Sequence, residues 1–277
     1  MIKIGKNCKR FFGTWKLPEH KIVIDKDSYR MAHPIWSLKD AEECPITHYK
    51  PSGFRDWIAF TNMKILRVSF DFFSGYKPGN MGENLYLRRF IFLETVAGVP
   101  GMIGGMIRHL KSLGKLQRDG GWIHHLLEEA ENERMHLFTF LALRQPGITF
   151  RVAILSAQAI FLTYFTTLYL LSSKTAHRFV GYLEEEAVKT YTACINDLDA
   201  GKLKRWENLA APAEAIKYWG LPEDAKMRDV IIAVRADEAM HREVNHHLAT
   251  LNPDDPVDDH QYHIHSSTTK DQTRTFQ

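Results

Sequence analysis

The sequence predicts an all-α fold, a bundle of long helices behind an irregular N-terminal arm. Three observations carry that reading. Apolar residues recur at helical spacing through six successive segments between residues 57 and 251. No segment alternates convincingly as a strand does, and no helical repeat period is present. Two Glu-x-x-His sequences, Glu133 to His136 and Glu238 to His241, fall inside two of the six segments.

Bulk properties narrow the class. A chain of 277 residues can bury a sizeable core. At 44% hydrophobic and 25% charged it is neither disordered nor a polytopic membrane protein. A net charge of +3 is too mild to argue for nucleic acid, and no zinc-finger, RNA-binding or phosphate-loop signature appears. Cys8, Cys44 and Cys194 are too few and too scattered for a zinc pair or a disulfide framework, which fits reducing surroundings.

Residues 1–56 read as the arm, marked by turns at Pro18, Pro34, Pro45 and Pro51. Lys3, Lys6, Lys9, Arg10 and Lys16 precede the first acid, Glu19. Such a start suits organelle targeting or a solvated basic arm. The bundle is expected over 57–251. Trp57 to Phe73 forms a first amphipathic helix, ending before Gly75. A longer one spans 83–113, with a kink or break at Gly98-Val99-Pro100-Gly101. Gly101 and Gly105 either admit a close helix neighbour or mark a flexible break.

A third helix follows Asp119-Gly120-Gly121 and stops at Pro146-Gly147. The segment 149–173 carries no charged residue from Val152 to Ser173. It is long enough to cross a membrane, but its hydroxyls and Gln158 suit a buried or surface-lying helix equally. A fifth helix runs from about Thr175 to Ala200 before Gly201. After a looser stretch with a short helical piece at Ala213 to Trp219, the last helix covers about Asp224 to Leu251. Residues 252–277 form a polar tail with His260, His263 and His265.

The chemistry lies in the acids and histidines. At a spacing of three, Glu133 and His136 leave one helix face, as do Glu238 and His241. Glu94 is the lone acid in the apolar run Phe90 to Val99, and a buried unpaired carboxylate is costly. One glutamate of Glu184-Glu185-Glu186 completes the order Glu, Glu-x-x-His, Glu, Glu-x-x-His on four helices. That order is the donor economy of ferritin-like four-helix bundles that bind two iron or manganese ions. The segment 149–173 then serves as the long crossover. Glu243-Val244-Asn245-His246 repeats the spacing on another face and is expected at the surface. Asn132 and Asp237 each precede a ligand glutamate and point about 100° away from it, and Asp237 could fix the tautomer of a histidine from another helix. Tyr218 and Trp219 are grouped with them as supports for the ligands. Tyr191 lies two turns after Glu184 on its face, where it is either a core residue or a source of an electron and a proton.

Four stretches resemble the alternative oxidases, the di-iron quinol oxidases of mitochondria and some bacteria. They are Phe92 to Gly101, Ala130 to His136, Arg178 to Ala187, and Arg235 to Ala239 with His241. The resemblance covers about residues 57–250. It implies oxidation of ubiquinol and reduction of O2 to water without proton pumping, insensitive to cyanide. It implies two iron ions held by Glu94, Glu133, His136, Glu184, Glu238 and His241, selecting Glu184 from its run. It makes Tyr191 redox-active. It assigns a quinol pocket to Arg89, Leu93, Glu186, Ala187 and Thr190, with Arg67, Asp71 and His177 nearby. It also implies a homodimer on one leaflet of the mitochondrial inner membrane, matrix side, or on the cytoplasmic face of a bacterial inner membrane. Apolar faces of 83–113 and 149–173 would dip into lipid, with Arg88, Arg89, Arg108, Lys111, Lys115 and Arg118 meeting headgroups. Met240 departs from the polar residue usual there, and no cysteine sits in a regulatory context. The rival readings are a plastoquinol oxidase or quinone hydroxylase, a ferritin-like iron-binding protein, and a non-catalytic membrane-associated bundle.

Overall fold

Ten helices follow a small two-stranded sheet in a computed structural model that describes residues 21–23, 31 and 33–257. The basic start and the tail histidines lie outside the described residues. Strands β1 (Lys21–Val23) and β2 (His33–Ile35) pair antiparallel, and α1 (Leu38–Glu42) follows, its first turn capped by the Ser37 hydroxyl. Then come α2 (Phe54–Ser74), α3 (Glu83–Ala97), α4 (Val99–Lys115), α5 (Trp122–Leu143) and α6 (Ile148–Leu171). The chain closes with α7 (Ser173–Asp199), α8 (Lys204–Glu207), α9 (Ala213–Trp219) and α10 (Met227–Leu248).

The helix ends follow local chemistry. Asp119 Oδ2 accepts from the Ile123 amide at 2.8 Å and satisfies a free donor at the start of α5. Ser172 caps α7, and Asp229 reaches back to the Lys226 amide at 2.8 Å to start α10. Gly98 separates α3 from α4, with Pro100 in the first turn of α4, where its missing N–H costs nothing. Gly101 answers the open question about the glycines. A Cβ there would meet Leu126 O at 2.3 Å, so α4 and α5 touch backbone to backbone.

α3, α5, α7 and α10 form the inner four-helix bundle. α7 packs along most of α10 and α3 packs on α5, while α6 spans the outside of α3, α4 and α7 as the crossover. The core joins Phe90, Ile91, Met135, Phe140, Tyr191, Trp219 and the apolar face of α10. α2 covers α7 with a narrow buried edge, Ala59 and Met63. The wider apolar face of α2 points outward, with Trp57, Ile65, Val68, Phe72 and Phe73 exposed. α6 is long and apolar enough to cross a membrane and turns most of its surface outward. Of the arm, residues 33–49 lie against the bundle. Arg235 donates to the carbonyls of Ala41 and Glu42, and Arg242 to that of Pro45.

Candidate metal centre

Six side chains from the four inner helices converge. Glu94 comes from α3, Glu133 and His136 from α5, Glu184 from α7, and Glu238 and His241 from α10. Each is at most 5% exposed. Their donor atoms form two groups, Glu94, Glu133, His136 and Glu238, and Glu133, Glu184, Glu238 and His241, each within 4.8 Å. Glu133 and Glu238 belong to both groups, the arrangement of carboxylates that bridge two cations. His136 Nδ1 lies 3.4 Å from oxygens of Glu94, Glu133 and Glu238. His241 Nδ1 lies 2.8 Å from Glu133 Oε1.

The donor set is orphaned. Both Glu133 oxygens, Glu94 Oε2, His136 Nδ1 and both His241 nitrogens are buried and, although they crowd one another, make no well-aligned hydrogen bond among the described residues. Each such atom is costly unless something coordinates it. Four carboxylates would neutralise two divalent cations, and two imidazoles add one neutral nitrogen to each. The shifts of the buried acids follow from crowding. Burial and the Glu133 carboxylate push Glu94 well above the usual carboxylate range, and burial with Glu238 does the same to Glu184. Burial would raise Glu133 too, but His136 and His241 hold it low. Burial opposes charging His241, yet Glu133 brings it up to about 9. The residues present fit a pair of metal ions.

Asp237 anchors the surroundings. Its Oδ2 lies 3.1 Å from His136 Nε2 and accepts from Trp219 Nε1 at 2.8 Å and Asn132 Nδ2 at 3.0 Å. An imidazole that donates Nε2–H to Asp237 presents its Nδ1 lone pair to the carboxylates. Asn132 spends its second N–H on the Tyr218 hydroxyl at 3.0 Å. One member was missed from sequence: Trp36, from the arm, donates to Asp237 Oδ1 at 2.5 Å. Nothing in local spacing points to it. A second omission was legible. Glu129 precedes Glu133 by one turn, and Asn245 follows His241 by one turn. Asn245 Nδ2 donates to Glu129 Oε2 at 2.7 Å, and burial pushes Glu129 up to about 7.

The three consecutive glutamates divide. Glu184 joins the centre. Glu185 accepts from the Tyr49 amide at 2.8 Å and pairs with His48 and His246 at 2.6 and 2.9 Å. His246, expected at the surface, is therefore buried, and it fills the space left by Gly181. Glu186 pairs with Lys64, Arg67 and Lys189 at 2.9 to 3.0 Å.

Most residues expected at a quinol site assemble around Glu186. Arg67 binds Asp71 at 2.5 Å and reaches Thr190 Oγ1 at 3.3 Å, while Arg89 pairs with Asp71 at 2.7 Å. Leu93 and Ala187 are half-buried nearby, one position from Glu94 and Glu186 respectively. Tyr191, next to Thr190, donates to Glu94 and stacks on Phe90 at 4.5 Å. His177 is a correction. It sits thirteen residues before Thr190 on one helix, about 20 Å along the axis, bonded to Asn245 at 3.1 Å beside Trp122 and Tyr169. Arg89 and Arg108 are also not headgroup contacts, being buried in ion pairs with Asp71 and Asp119.

Fold and centre together define a class: a four-helix carboxylate bundle whose buried site fits two bridged metal ions. Comparison with known proteins narrows the class. The alternative oxidase family matches residues 36–250. The alternative oxidase of Emericella nidulans is 50% identical over 242 residues, covering 83% of this chain and 68% of that protein. That of Ajellomyces capsulatus is 48% identical, covering 88% and 71%. That of Trypanosoma brucei brucei is 51% identical over 219 residues, covering 79% and 66%. All three are named mitochondrial. The chain belongs to the alternative oxidase family of oxidoreductases.

Proposed function

We propose that the protein is a membrane-bound quinol oxidase that oxidises ubiquinol and reduces O2 to water at a di-iron centre, without pumping protons. The observation that carries this is the meeting of the orphaned six-donor set with the Arg67, Asp71, Arg89, Glu186 and Thr190 network through Tyr191 and Glu94. Glu94, Glu133, His136, Glu184, Glu238 and His241 would hold the iron pair. Bound there, the pair supplies oxygen binding and electron transfer.

The remaining work falls to this chain. Leu93 and Ala187 pack the quinol ring. Arg67 and Arg89 orient its hydroxyls, with Glu186 and Asp71 as the nearest proton acceptors. Tyr191 passes an electron inward and its proton to Glu94 across their hydrogen bond. Asp237, held by Trp36, Asn132 and Trp219 with Tyr218 behind them, keeps His136 in its ligand tautomer. The apolar core around the centre excludes water and shields reactive states.

The outward apolar faces of α2 and α6 support attachment to one leaflet. The exposed stripe Met102, Met106, Leu110 and Leu113 of α4 supports a homodimer. The relatives are named mitochondrial, which supports a mitochondrial location, and we place the protein on the matrix side of the inner membrane.

The test is cyanide-insensitive oxygen uptake with ubiquinol by purified protein of known iron content. Quinone and water at about two iron ions per chain are expected. A hydroxylated ring, or iron loading far beyond two, refutes the reading. Full activity in Glu94→Ala or His241→Ala refutes the ligand set, and normal turnover in Tyr191→Phe removes its redox role.

A further inference from the structure

Two helix faces run outward from the proposed redox centre in register. On α3, Tyr86, Phe90 and Glu94 recur at intervals of four. On α7, Tyr191 and Asp197 lie six residues apart, about 9 Å along the axis, and both reach α3. The two rows meet rung by rung. Tyr191 donates to Glu94, and Phe90 stacks on Tyr191 at 4.5 Å. Tyr86 stacks on Phe90 at 5.8 Å, and its hydroxyl donates to Asp197 Oδ2 at 2.8 Å. The row ends at the surface, where half-exposed Lys202 pairs with Asp197 at 2.8 Å.

We propose that Tyr86, paired with Asp197, is a second redox-active tyrosine that draws oxidising equivalents away from Tyr191 when quinol runs short. This rests on the oxidase reading and on the redox role of Tyr191. An enzyme that reduces O2 in a closed cavity is left with an oxidised side chain whenever the donor is late. Without an exit, that oxidation is discharged into the core.

Three features suit Tyr86 to the exit. It is fully buried, so solvent does not quench it. Burial and the Asp197 bond hold its phenol well above the ordinary value, so it stays protonated until it is oxidised. An oxidised phenol is a strong acid, and its electron leaves readily only if a base within hydrogen-bond reach takes the proton. Asp197 is that base, 4% exposed and held by Lys202.

The step balances. One electron passes from Tyr86 across Phe90 to oxidised Tyr191. The phenolic proton of Tyr86 crosses to Asp197 Oδ2. The proton displaced across the Tyr191 to Glu94 hydrogen bond returns to Tyr191. Tyr191 is restored, and Tyr86 becomes a neutral phenoxyl radical beside a protonated Asp197. A one-electron reductant of the thiol or ascorbate class at the surface beside Lys202 then returns an electron to Tyr86 over the short distance past Asp197, and Asp197 returns its proton.

The test uses the full-length, iron-loaded protein mixed with O2 and substoichiometric ubiquinol, freeze-quenched for electron paramagnetic resonance. Tyr86→Phe keeps the ring and removes only the hydroxyl, and Asp197→Asn keeps an acceptor of the same shape that cannot take the proton. In both, the longer-lived tyrosyl signal disappears, and the single radical that forms stays on Tyr191 and is lost as the enzyme inactivates. Both variants also self-inactivate several-fold faster than wild type under quinol starvation, while the initial rate at saturating quinol is unchanged. A purely structural Tyr86 would lower thermal stability and leave the radical spectrum as in wild type. That spectrum in both variants overturns the proposal. Absence of quinol-dependent oxygen uptake in the wild type would instead overturn the oxidase reading beneath it.

Discussion

Gly101→Ala tests whether the α4–α5 contact positions the centre. The added Cβ would lie 2.3 Å from Leu126 O and 3.1 Å from Ala130 Cβ. The first contact is about 1 Å inside ordinary van der Waals distance and involves backbone, which no rotamer change can relieve. Overpacking of this kind costs about 3 kcal/mol, the upper end of the usual range. Alanine returns about 1 kcal/mol by favouring helix over the unfolded chain. The net loss of about 2 kcal/mol corresponds to a fall in Tm on the order of 4–8 °C for a domain of this size. Ala130 lies one turn before Glu133, so a shift of α5 moves Glu133 and His136 by more than the ~0.2 Å that metal–ligand distances tolerate. Gly114→Ala in the same helix is the control. It meets nothing within 4 Å and should raise stability by about 0.5–1 kcal/mol. Thermal unfolding followed by circular dichroism, with iron counted per chain, reads both. If Gly101→Ala is as stable as Gly114→Ala, or retains full iron, the close-approach argument is wrong.

Two further outcomes are expected. Trp36→Phe removes the 2.5 Å bond to Asp237 Oδ1, costing about 2 kcal/mol for a bond to a charged group and speeding iron loss to a chelator; an unchanged off-rate counts against the role of the arm. Burial pushes His177 down from 6.5 to about 4, so between those pH values the unfolded chain takes up a proton that the folded one refuses. Stability is therefore full above about pH 6.5 and is lost as pH falls toward 4, by about 3 kcal/mol; urea midpoints for His177→Gln should flatten in that window, and an identical slope refutes this.

The helices were legible because a periodic apolar face is a local signal, and the structure moves their ends by only a few residues. The six donors were legible because Glu-x-x-His fixes two side chains on one face, while Glu184 needed the family resemblance to separate it from Glu185 and Glu186. What escaped was set by distant packing. Trp36 reaches Asp237 from an aperiodic arm. His246 repeats a ligand spacing, yet it is drawn into Glu185 by a cleft that Gly181 leaves open. The periodicity of α2 shows an apolar face without showing that only Ala59 and Met63 turn inward. Placing His177 by family alone ignored the length of a straight helix.

The arm laid across α10 has a consequence for the order of assembly. Trp36 and Asp237 are separated by 201 positions. A ribosome releases the arm long before the helix that receives it, so Trp36 must wait without its acceptor through almost the whole of synthesis. Two of the six donors, Glu238 and His241, also emerge last. Closing the loop between them is the slowest kind of contact to form, because its entropy must be spent before any reward. Maturation of the protein is therefore a late, single event, in which the segment around Trp36 locks onto α10.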